Sequence, residues 1–109
     1  AIGRTLVSRP EVLLMDEPFS ALDAITRERQ QEMLSELLEK RKIIAVAVTH
    51  SVEEAVFLGS RIILMGRNES SVIECEFNNP GAGSEDYRSS GEYSQLCSRV
   101  RRELRRANG

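Results

Sequence analysis

Apolar residues along the chain fall into short continuous runs separated by stretches with helical spacing. Ile2, Leu6 and Val7 recur at that spacing until Pro10 stops the pattern, which reads as the end of a helix. Val12-Leu13-Leu14-Met15 follows without polar alternation, as expected of a strand buried on both faces of a parallel sheet. It ends in Asp16-Glu17-Pro18, where Pro18 removes a backbone donor and regular pairing should stop. From Asp23 to about Lys40 the pattern is helical. Ile25, Met33, Leu34, Leu37 and Leu38 form its apolar face, Arg27, Glu28, Arg29, Gln30 and Glu36 lie largely outside, and Asp23 is the N-cap.

A second apolar run, Ile43 to Val48, reads as another buried parallel strand and ends in Thr49-His50. Ser51 stands three residues before Glu54, a capping box opening a short helix to about Leu58, which Gly59 and Ser60 close. Ile62 to Met65 make a third strand, and Val72 to Phe77 a fourth whose alternation places it nearer an edge. Asn, Pro, Gly and Ser dominate 78 to 91, a predicted loop. A final helix from about Glu92 to Ala107 carries Leu96, Val100 and Leu104 on one seam. Strands alternating with helices predict an α/β layered fold.

Composition changes this picture little. The 109 residues suit one small domain, and 40% hydrophobic with 29% charged residues is the balance of a folded globular protein. Fifteen Lys and Arg against seventeen Asp and Glu give a net charge of −2, which argues against nucleic acid as a partner. Arg99, Arg101, Arg102, Arg105 and Arg106 nevertheless crowd the last helix. They read as a solvated face or as a contact for acidic lipid or a regulatory partner. Cys75 and Cys97 fit no metal spacing or disulfide framework and read as reduced thiols. No apolar run approaches the ~20 residues that span a bilayer, and no signal peptide is visible. The first residue is Ala1 rather than Met, which suggests a truncated, processed or engineered start.

Two places carry candidate chemistry. In open α/β sheets ligands bind outside the carboxyl ends of the strands, which is where Asp16 and Glu17 emerge. One carboxylate can help hold Mg²⁺, a hard cation that prefers oxygen ligands; the other can orient or deprotonate an attacking water. The plainer alternative is a pair of solvated acids at a turn. His50, the sole histidine, ends another predicted strand at the same sheet edge, where an imidazole could bond a terminal phosphate. A structural or merely exposed histidine is the alternative there.

The run from Leu13 to Asp23 (Leu-Leu-Met-Asp-Glu-Pro-Phe-Ser-Ala-Leu-Asp) resembles the Walker B strand and D-loop of ABC transporter ATPases. Val48-Thr49-His50, Glu54-Ala55 and Ser60-Arg61-Ile62 resemble their His-switch and the helix after it. Ala1 to Val7 with Arg9-Pro10 resembles the segment leading from the signature motif to Walker B. The tail, Phe77 to Pro80 and Ser84 to Leu104, is loosely similar to importers of the nitrate, sulfonate and taurine type. The resemblance implies a P-loop NTPase (RecA-like) core, present in part over residues 1–77, with a mostly parallel sheet and flanking helices; 78–109 add a loop and the last helix. It implies ATP and Mg²⁺ as cofactors. Asp16 would bind Mg²⁺, Glu17 would be the catalytic base, and His50 would contact the γ-phosphate as a catalytic and nucleotide-binding residue. Ser20, Ala21, Leu22 and Asp23 would meet a second ATPase subunit. Further implied partners are a transmembrane permease and, indirectly, a solute-binding protein, at the cytoplasmic face of the inner membrane.

The sequence departs from the family where Ser51 and Ser60 stand in place of Asp, and Ser51 serves equally as an N-cap. It contains no Gly-rich phosphate loop, no LSGGQ-like signature and no glutamine loop. Phosphoryl transfer is mostly positioning and charge stabilisation, so the 109 residues alone should be inactive. Absent strands would also leave apolar surface and sheet edges uncovered. Two other readings stay open: a soluble ABC ATPase of the translation or DNA-repair type, and a non-catalytic module that pairs through its D-loop.

Overall fold

The computed structural model describes residues 12–65 and 75–108, with side chains to Arg106. The expected helix at Ala1 to Val7 and the start of the fourth strand therefore lie outside the described residues. The chain divides into two compact units, Ala1–Ser51 and Val52–Gly109.

In the first unit, β1 (Val12–Asp16) leads through α1 (Ala24–Arg41) to β2 (Ile44–Val48). The strands pair in parallel, Val12 opposite Ile44 and Asp16 opposite Val48. Both ends of α1 follow local chemistry. Asp23 is extended and accepts the Thr26 N–H at 2.8 Å, filling one donor that the first turn leaves open. At the other end Lys42 turns left-handed at φ 55°, and the Ile43 N–H returns to the Leu38 carbonyl at 3.2 Å.

Burial corrects two expectations here. Leu13 and Met15 are shielded, but Val12, Leu14, Ile44, Val46 and Val48 are exposed. β1 and β2 are therefore not buried on both faces. A βαβ unit supplies one helical layer, and the opposite face of its sheet needs another. On α1, Leu34 and Gln31 are buried, whereas Ile25, Met33 and Leu37 of the expected apolar face are exposed. The helix shields a narrower stripe that runs through Arg27, Gln31, Leu34 and Leu38.

In the second unit, α2 (Val52–Leu58) precedes β3 (Arg61–Leu64), which pairs antiparallel with β4 (Cys75–Asn78). Among the described residues the strands form two two-stranded sheets: β1 and β2 are parallel as expected, whereas β3 and β4 are antiparallel. β3 alternates: Ile62 and Leu64 are buried, while Arg61 faces outward and bonds Glu76 across the strands at 2.6 Å. The predicted loop at 78–91 contains a 3-10 helix, Glu85–Ser89, and α3 (Gly91–Asn108) follows. Val56, Ile62, Phe77, Leu96 and Val100 belong to one core. Asn79 ties the layers together, donating to the carbonyls of Val56 at 2.6 Å and Gly59 at 2.8 Å and accepting the Tyr87 hydroxyl at 2.5 Å. A buried amide with its partners met fixes the loop as firmly as a strand would.

Candidate active site at the ends of β1 and β2

β1 and β2 run side by side, so their carboxyl ends bring residues 33 positions apart together. Asp16 is the last residue of β1, and its carboxylate is exposed. Among the described residues no hydrogen bond or ion pair engages it. Glu17 follows with φ 51°, a left-handed backbone rare outside glycine. Such a conformation costs roughly 1–3 kcal/mol and persists only where its surroundings hold it.

Those surroundings are visible. The Glu17 N–H donates to the Val48 carbonyl at 2.8 Å, extending the ladder one step past β1. The Glu17 carboxylate accepts the backbone N–H of His50 at 3.1 and 3.4 Å. The Glu17 carbonyl accepts from both the backbone N–H and the hydroxyl of Ser20. Thr49 contributes by accepting the Ser51 N–H at 3.0 Å, which fixes the turn that aims the His50 N–H at Glu17. The half-buried Glu17 and the exposed His50 are therefore joined by a direct bond.

The loop from Pro18 to Asp23 leaves this clamp. Phe19 is buried with 1% of its surface exposed, while Ser20, Ala21 and Asp23 are exposed and Leu22 is half-buried. Asp23 is occupied as the cap of α1, and the Thr26 N–H holds its carboxyl below the ordinary value of 3.8. Arg27, expected on the outer face of α1, is instead half-buried. Its Nη2 donates to the Leu22 carbonyl at 2.6 Å and its Nε to the Phe19 carbonyl at 3.4 Å. A cation in the first turn of a helix opposes the helix dipole, a signal in the sequence that this arginine has another task.

Asp16 fits a magnesium ion in a limited way. Among the described residues no three His, Cys, Asp or Glu side chains cluster for a metal. Magnesium is commonly held by one or two carboxylates together with phosphate and water oxygens, and one exposed carboxylate meets that need.

Comparison with known proteins places the sequence in a family. The chain is 42% identical over 108 residues to an aliphatic sulfonates import ATP-binding protein of Pseudomonas aeruginosa (strain UCBPP-PA14), covering 99% of this chain and 43% of that protein. This chain belongs to the ABC family of ATP-binding proteins. A taurine import ATP-binding protein of Rhizobium johnstonii is 38% identical over 92% of this chain and 40% of its own length. A bicarbonate transport ATP-binding protein of Synechocystis is 45% identical over 84 residues, 73% of this chain and 13% of that protein. No family profile matches the chain. The ABC-family chain thus spans less than half the length of these curated relatives. Among its described residues no helix is long and apolar enough to cross a membrane.

Proposed function

We propose that this ABC-family chain is the C-terminal, water-activating portion of a P-loop NTPase (RecA-like) importer subunit that hydrolyses ATP to drive solute uptake. The observation that carries the reading is the bond between the Glu17 carboxylate and the His50 N–H. It joins a candidate base and a candidate phosphate sensor at adjacent strand ends, the usual ligand edge of an α/β sheet. In this reading residues 1–77 belong to the ATP-hydrolysing core and 78–109 to the loop and helix that follow it.

Glu17 orients the attacking water and accepts its proton. The left-handed backbone and the Val48 and His50 contacts hold its carboxylate at the sheet edge, where little reorganisation remains to be made. Asp16 would hold Mg²⁺ with phosphate and water oxygens, and the ion would supply charge neutralisation at the phosphates. The His50 ring, exposed beside Glu17, bonds the γ-phosphate. The phosphate loop of the same subunit and the signature motif of a second subunit would complete the site, with Ser20, Ala21, Leu22 and Asp23 facing that second subunit. The whole assembly would sit on a permease at the cytoplasmic face of the inner membrane, fed by a solute-binding protein. The import names of the relatives favour transport over a soluble ATPase role or a non-catalytic module. Sulfonates and taurine are the solutes those names suggest first.

Single-turnover Mg-ATP hydrolysis by the full-length subunit tests these roles. Glu17→Gln should lower the rate by about 10²-fold or more with ATP still bound, as loss of a general base does. His50→Ala should also slow hydrolysis. Unchanged rates in both variants would refute the assignment.

A further inference from the structure

Arg27 makes two bonds that neither helix formation nor the proposed chemistry explains. Its guanidinium reaches back from α1 to the carbonyls of Phe19 and Leu22, at 3.4 and 2.6 Å. Those carbonyls bracket the exposed pair Ser20 and Ala21. The Phe19 carbonyl also accepts the Leu22 N–H at 3.2 Å, so the bracket closes on a tight turn. The buried Phe19 ring anchors one side of that turn. On the other side the Arg27 N–H donates to Asp23 at 2.8 Å, fixing the helix from which the guanidinium extends. Arginine suits the task because its planar fork presents several donors in fixed directions; a lysine ammonium is a single point.

We infer that Arg27 is a positioning residue for the loop: by bridging the Phe19 and Leu22 carbonyls it holds Ser20 and Ala21 outward in the shape a second subunit docks against. The inference rests on the reading of residues 20–23 as the dimer-contact loop. An arginine at this helix position works against the dipole, and the two carbonyl bonds are the compensating gain. Without them the loop would have to be ordered at the moment of docking, which weakens association and leaves nucleotide binding by the lone subunit untouched.

The test uses the full-length subunit with a non-hydrolysable ATP analogue and Mg²⁺. Dimerisation is read by sedimentation, analogue binding by the monomer is read separately, and thermal melting is followed alongside. Arg27→Gln should weaken dimerisation roughly tenfold, equivalent to about 1.4 kcal/mol, with monomer binding unchanged. Arg27→Lys, which keeps the charge but cannot bridge both carbonyls, should fall between. An Ala21→Arg variant, altering the loop directly, should abolish dimerisation. If Ala21→Arg abolishes dimerisation while Arg27→Gln leaves it unchanged, the Arg27 inference is overturned and the loop reading stands. If Ala21→Arg also has no effect, the loop reading fails and takes the inference with it. Should Arg27→Gln not fold, Arg27→Lys decides, since unchanged dimerisation there contradicts bridging.

Discussion

Single side chains in this protein do their work through one or two well-aimed bonds, and several of these titrate. The Asp23 carboxyl is held below 3.8, chiefly by the Thr26 N–H, so its folded-state value is depressed. Its capping contribution is therefore present above 3.8 and is lost as pH falls through the lower folded value. The difference in melting temperature between the native protein and Asp23→Ala should be constant at neutral pH and vanish in acid. A difference that persists at low pH would mean the cap works without charge. Tyr93 behaves in the opposite sense. Burial, assisted by Cys97, pushes its hydroxyl up to about 12 from 10.0, and burial also raises Tyr87. Stability linked to Tyr93 is complete below 10.0 and lost as pH rises through about 12. An alkaline ultraviolet titration should show neither of the two tyrosines half-ionised at pH 10.0; a normal tyrosinate signal there would contradict this packing.

At the same scale, Asp16, Glu17 and His50 were legible in the sequence because each ends a run of apolar residues, and parallel strands bring such ends together. Arg27 and Thr49 were not. Arg27 looks like one more polar residue on a helix, and only the carbonyl positions at Phe19 and Leu22 reveal its use. Thr49 is half-buried beside His50, and its part in the turn shows only in its bond to the Ser51 N–H.

Elements were readable in place but not in partnership. The apolar run at Val12 announces a strand covered on both faces, yet Val12 and Leu14 are exposed among the described residues. The alternation at the fourth strand announces an edge without fixing its direction, and β4 turns out to run antiparallel to β3. The predicted loop hid Asn79, whose side chain makes three hydrogen bonds, because an amide's partners are distant in sequence. Asn79→Ala strands the buried Val56 carbonyl, the part-buried Gly59 carbonyl and the Tyr87 hydroxyl and should cost about 1–3 kcal/mol in denaturant unfolding. A loss below about 0.5 kcal/mol would show the network to be dispensable. Gly81 tests the same region by size: a Cβ there would lie 2.6 Å from the Tyr87 ring, which its bond to Asn79 restrains. Gly81→Ala should destabilise by about 1–3 kcal/mol through overpacking.

For the whole molecule, the outward face of β1 and β2 is the main consequence of having one helical layer. Val12 and Leu14 stand beside Ile44 and Val46, each at least 41% exposed. A contiguous apolar patch of this kind favours association. The 109-residue chain by itself should self-associate and bind a hydrophobic dye, and Leu14→Lys with Val46→Glu should reduce both. In the full-length subunit, further layers of the ATPase core would cover that face, and the same substitutions should be destabilising.

The most direct test of the central claim is Mg-ATP hydrolysis by the 109-residue chain, measured beside the full-length subunit and its Glu17→Gln variant. An active subunit, a Glu17→Gln variant slowed by about 10²-fold or more and an inert isolated chain are the predicted results. Turnover by the isolated chain that Glu17→Gln abolishes would contradict the account, because these residues would then bind phosphate without the loop and signature motif they lack.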